Sequence, residues 1–113
     1  MSEYYILTDS KQCVPCDGNT MWASAWSKSS KVKCDVIKPS RLFFWRKSSF
    51  VSTVFLGINH NWGRDRDSHP ILFETIVFGG KHNDLCQRYE TYNEAVNGHE
   101  RVLKFVKGLI TRL

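Results

Sequence analysis

The sequence predicts an α+β domain: a small antiparallel or mixed sheet of about four to five strands, a short N-terminal helix and a long C-terminal amphipathic helix. Three observations carry this. Residues 31–38 alternate between apolar and polar. Two β-branched, apolar runs, 50–58 and 71–78, are followed by a Gly79-Gly80 turn. After Thr91 the apolar residues recur every three or four positions. A chain of 113 residues, 42% hydrophobic, fits one domain over 1–113.

Tyr4 to Thr8 reads as a first strand, halted by Asp9-Ser10. Residues 13–18, Cys-Val-Pro-Cys-Asp-Gly, read as a turn-rich loop. Asn19 or Thr20 caps a short helix to about Lys28, with Met21, Trp22, Ala25 and Trp26 on one face. In the 31–38 strand Val32, Cys34 and Val36 point one way, and Lys31, Lys33, Asp35 and Ile37 the other. Pro39-Ser40 ends it, the apolar Leu42 to Trp45 follows, and Arg46 to Ser49 breaks that run.

Phe50 to Ile58 is apolar on both faces and belongs in the middle of the sheet. Residues 59–70 form a long polar loop, and Ile71 to Phe78 is the next strand. Cys86 to Tyr89 returns as a short edge strand. Thr91-Tyr92-Asn93-Glu94 is a capping box. It opens a helix of about five turns whose inner face holds Tyr92, Ala95, Val96, His99, Val102, Leu103, Val106 and Ile110. Both helices are expected on one side of the sheet.

No apolar run reaches the ~18 residues that span a bilayer, so no membrane partner is expected. No signal peptide is visible, which makes the four cysteines thiols or metal ligands in a reducing compartment, the cytoplasm by default. The net charge is +5, and residues 28–47 hold seven basic residues against Asp35, so the rest of the chain is −1. This asymmetry points to an acidic partner for one region.

Four constellations carry candidate chemistry. Cys13 and Cys16 resemble one zinc knuckle, and His82 with Cys86 is an irregular second pair. One knuckle is a weak signal, so the expectation is no metal and no cofactor. A redox role for the Cys pair needs a helix start, and Gly18-Asn19 intervenes. His60, Glu74 and His99, with Arg88 as a further partner, read as a polar cluster tying helix to sheet, or as an acid–base pair. The loop 57–70 reads as a solvated hairpin loop, or as a partner-contact loop carrying Trp62 and Arg64; its Asp65 and Asp67 lack the glycine and glutamate of a calcium loop. Lys38, Arg41, Phe44, Trp45, Arg46 and Lys47 mix cations with aromatics, which suits a solvated strand edge guarded by lysines, a protein interface or single-stranded nucleic acid.

Three stretches carry a resemblance: Val51-Ser-Thr-Val-Phe-Leu-Gly-Ile-Asn-His60, Leu72-Phe-Glu-Thr-Ile-Val-Phe-Gly-Gly80 and Arg88-Tyr-Glu-Thr-Tyr-Asn-Glu-Ala-Val-Asn-Gly-His99. With the Met21 to Trp26 helix upstream, they resemble a group of small uncharacterised bacteriophage and prophage proteins over roughly residues 4–105. That group usually has Asp-His in place of Asn59-His60 and Trp in place of Tyr92. The resemblance implies a viral accessory protein in the cytoplasm of an infected bacterium and carries no activity with it. The expectation is therefore a non-enzymatic protein that binds a host or viral protein, in host takeover or inhibition of an antiviral defence. A nucleic-acid-binding module using 28–47, and a small metal- or His/Glu-dependent enzyme, are the alternatives.

Overall fold

The structure is a computed structural model and describes residues 3–39, 47–60 and 69–113. Along these run β1 (Tyr4–Leu7), β2 (Cys13–Cys16), α1 (Thr20–Ser29), β3 (Lys31–Ile37), β4 (Ser49–Phe55), β5 (Phe73–Phe78), β6 (Cys86–Tyr89) and α2 (Tyr92–Val106). The class is α+β. β1 and β2 form a two-stranded sheet, and β3-β4-β5-β6 form a four-stranded antiparallel sheet in that order.

β2 occupies residues expected to be a loop. The turn before it closes when Thr8 N–H donates to Gln12 O and Lys11 N–H donates to Thr8 O, both at 2.9 Å, with Lys11 at φ +66°. Tyr4 then faces Cys16 and Leu7 faces Cys13. Pro15 is tolerated because β2 is an edge strand and its missing N–H faces away from the ladder.

Asn19 is the cap of α1, its Oδ1 accepting from Trp22 N–H at 3.0 Å. The helix contacts are made by Trp22 and Trp26, one turn apart. Trp22 Nε1 donates to Tyr5 O (2.9 Å) and Gly57 O (3.2 Å), and Trp26 Nε1 donates to Phe55 O (2.9 Å). Met21, placed on that face from the sequence, is 80% exposed, because it lies about 100° round the helix from Trp22. α1 packs on β1, whereas α2 packs on all four strands of the larger sheet, so the two helices do not form one layer over that sheet.

The expected facing of β3 reverses along its length. The pairing with β4 shifts register between Lys31 and Lys33, a β-bulge. An extra residue moves every later side chain to the opposite face. Val32 packs inward, but beyond the bulge Asp35 and Ile37 face α2 while Cys34 and Val36 face away.

β4 is central, between β3 and β5, but stops at Phe55. Gly57, at φ +72°, turns the chain beneath the two indoles, where any β-carbon would strike Trp26. β5 begins at Phe73, later than expected, and β6 spans the residues read as an edge strand.

Half of the capping box at α2 forms: Thr91 Oγ1 accepts from Glu94 N–H at 3.1 Å, but Glu94 Oε2 accepts from Glu90 N–H at 3.3 Å, one residue before the cap. The helix stops a turn earlier than the apolar spacing suggests, so Ile110 lies outside it. Gly108 at φ +79° donates to Phe105 O (3.0 Å), and Leu109 N–H donates to Lys104 O (2.8 Å). These two bonds make a Schellman stop.

The core between α2 and the sheet is two apolar clusters. Tyr5, Phe55, Leu72, Phe73 and Ala95 form one, and Val51, Val77, Val102 and Leu103 the other. Thr53, Thr75 and His99 lie between them in sequence on β4, β5 and α2, and all three are buried. A polar rung thus divides the core.

Candidate functional site

The rung is a continuous hydrogen-bond chain. Asp35 Oδ2 lies 2.7 Å from His99 Nε2, and His99 Nδ1 lies 2.7 Å from Thr53 Oγ1, which in turn bonds Thr75 Oγ1. An ionised carboxylate only accepts, so Nε2 carries a proton and donates to Asp35. In the neutral imidazole Nδ1 then accepts from Thr53, and Thr53 accepts from Thr75. The hydrogen bond from His99 holds the Asp35 carboxyl below its ordinary value, with the positive charges of Lys33 and Lys107 adding to the effect. Gly98, beside His99, has no side chain, and the Tyr89 ring fills the place a β-carbon would take. The Tyr89 hydroxyl is buried with no hydrogen-bond partner among the described residues, and burial raises it above its ordinary value.

Asp35, His99 and Thr53 have the connectivity of a nucleophilic triad. Access rules that chemistry out. Thr53 is 1% exposed, and its hydroxyl is enclosed between His99 and Thr75. The arrangement instead ties α2 to three strands. Asp35, His99 and Glu100 also offer three ligand atoms within 4.8 Å of one another, but each is engaged: Asp35 with His99, and Glu100 with Lys33.

The polar cluster read from the sequence is split by the sheet. His99 lies on the α2 side, while Glu74 lies on the other face, where Arg88 Nε donates to its Oε2 at 2.9 Å. His60 sits past the end of β4, its Nδ1 2.7 Å from Ile58 O. These groups do not converge on a common point, so a His–Glu acid–base pair is not formed. The zinc candidates are dispersed as well. Cys13 packs against the first apolar cluster, with burial pushing its thiol up to about 11. Cys16 lies three residues along the same strand, the His82 ring is tilted against Phe105 with ring centroids 4.5 Å apart, and Cys86 is exposed on β6.

Of the basic and aromatic candidates, Arg41, Phe44, Trp45, Arg46, Trp62 and Arg64 lie outside the described residues. Lys38 and Lys47 are described and exposed, on either side of the β3–β4 connection. The other lysines of the basic window do not join them. Lys33 pairs with Glu100 on α2, and Lys31 opens β3, about 20 Å from Lys38 at ~3.3 Å per residue.

What the sequence reading missed is the outward face of the sheet. Val36 pairs with Phe50 and Phe50 with Phe78, a row across three adjacent strands. These side chains are 48%, 44% and 51% exposed, and no described helix covers them. Strand alternation in 50–58 and 71–78 was the available signal, but both runs are apolar at nearly every position and so mark neither face.

No protein-family model, curated protein or solved structure matches the chain.

Proposed function

We propose that this chain is a small phage-encoded accessory protein that binds a host or viral protein through the open face of its four-stranded sheet. The observation that carries the reading is the Val36–Phe50–Phe78 row, large apolar side chains held by paired strands and left about half exposed, with no described helix over them. Exposed aromatics on a rigid frame are the anchors that protein interfaces favour. The +5 charge of the chain selects an acidic partner over a second copy of itself, since like charges repel on approach. The motif resemblance supports a viral accessory role, in host takeover or inhibition of a defence system. A phosphate-tracking groove gains less support, because Lys31, Lys33 and Lys38 do not line up as a continuous stripe.

The test is affinity capture from infected cells with the wild-type chain and with Phe50→Ser/Phe78→Ser. The double variant is expected to keep its melting temperature and lose one identified acidic protein. Retention of that protein by the variant overturns the reading. So does a concentration-dependent dimer of the wild-type chain that the variant abolishes.

A further inference from the structure

A cavity of about 700 Å³ opens where the sheet meets the C-terminal end of α2. Its apolar walls are Ile37, Pro39 and Val106, and its polar lining includes Lys38, Lys47, Lys81 and His82. Ile37 and Val106 belong to the second apolar cluster, so the cavity lies on the helix side of the sheet, away from the Phe50–Phe78 row.

Three features make this a prepared site. First, the charge is uncompensated. The ion pairs between described residues are Lys33–Glu100, Arg88–Glu74 and His99–Asp35, none involving Lys38, Lys47 or Lys81. No carboxylate is among the described lining residues. Second, the lining is positioned. Gly79 and Gly80, at φ +81° and +74°, fold the β5–β6 turn onto Ser49, whose hydroxyl occupies the space of a Gly80 β-carbon. Ser49 Oγ donates to Gly79 O at 3.2 Å, and His82 is held against the Phe105 ring. Lys81 follows directly from this turn. Third, the nearby helix end is partly capped, the carbonyls of Leu103, Lys104 and Phe105 accepting from Lys107, Leu109 and Gly108.

We propose that this cavity binds a phosphorylated small molecule with a planar or apolar body. The size falls within the range of small-molecule sites, roughly 300–1,000 Å³. The cations are lysines, compact point charges that bind phosphate without a planar, two-pronged fit. Up to two negative charges on each phosphate match a cavity lined by three exposed lysines better than isolated carboxylates do. The imidazole of His82 and the aliphatic wall accept the remainder of the ligand.

The test is calorimetric titration of the full chain with ATP, pyrophosphate and adenosine at fixed low salt. ATP is expected to bind saturably and more tightly than pyrophosphate, with adenosine weakest. Lys47→Ala/Lys81→Ala is expected to weaken ATP binding by about tenfold or more without changing the melting temperature. Lys28→Ala/Lys31→Ala, at the other end of the sheet, and Phe50→Ser/Phe78→Ser are expected to bind ATP as the wild type does. The proposal is overturned if no saturable binding occurs up to about 1 mM, or if the Lys28/Lys31 variant loses as much affinity as the Lys47/Lys81 variant. Tighter binding of a polyglutamate peptide or a single-stranded oligonucleotide than of ATP also overturns it.

Discussion

His99 Nε2, in the middle of α2, donates to Asp35 Oδ2, on the edge strand β3, across 2.7 Å. The two residues are 64 positions apart, and the bond anchors the helix to an edge strand, which has a neighbour on one side only. Asp35→Ala leaves a fully buried ring nitrogen without an acceptor and is expected to cost about 1–3 kcal/mol in urea unfolding. Asp35→Asn keeps an acceptor and is expected to cost less.

The same bond sets an acid limit. The folded-state value of Asp35 is lower than its ordinary 3.8, so the folded chain binds fewer protons there than the unfolded chain does. Stability from this group is complete above the ordinary value and is lost as pH falls through the folded one. Glu100, lowered by its hydrogen bond from Lys33, acts in the same direction. Unfolding free energy is expected to fall steeply below about pH 4, and less steeply in Asp35→Asn. Equal pH profiles for the two chains would remove Asp35 from this account.

Thr53→Val and Thr75→Val interrupt the hydroxyl relay at different links. Thr53→Val strands His99 Nδ1 and the Thr75 hydroxyl together, and is expected to cost about 1–3 kcal/mol. The double variant is expected to cost less than the two single losses combined, because both remove the same bond. A double-mutant cycle in denaturant checks this.

Much of this arrangement was legible from the chain, and the missing part has one cause. Thr91 with Glu94 gave the start of α2, and His99 after Gly98 stood out on its apolar face. Asp35 did not. Read by strict alternation it fell on the face opposite Val32, and the bulge at Lys31–Lys33 brings it inward. A bulge has no strong local signature here, since neither glycine nor proline marks it. Thr53 and Thr75 read as ordinary strand formers, because their hydroxyls acquire meaning only when β4 and β5 pair them side by side.

Gly98→Ala is expected to destabilise the chain, against the usual preference for alanine in helices. The propensity gain is about 1 kcal/mol, whereas a new β-carbon strikes the Tyr89 ring, and overpacking of this kind costs about 1–3 kcal/mol. Tyr89→Leu, which removes the ring, is expected to restore much of the loss in the Gly98→Ala background. Thermal melts of the four chains decide it.

Thiol labelling separates the cysteines. Cys13 is half-buried with its thiol pushed to about 11, so at pH 8 about one part in a thousand is thiolate. Cys34 stands exposed on the outward face of β3. Alkylation followed by peptide mass spectrometry is expected to modify Cys34 first and Cys13 last in the folded chain, with the difference abolished in denaturant.

The polar rung has a consequence for how the molecule comes apart. Each apolar cluster is small, and Thr53, Thr75 and His99 lie in sequence at the boundary between them. Water entering at the rung hydrates both halves at once, so the Ile37–Val106 half and the Tyr5–Phe73 half lose their protection together. Amide exchange in β4 and β5 then reports one cooperative opening.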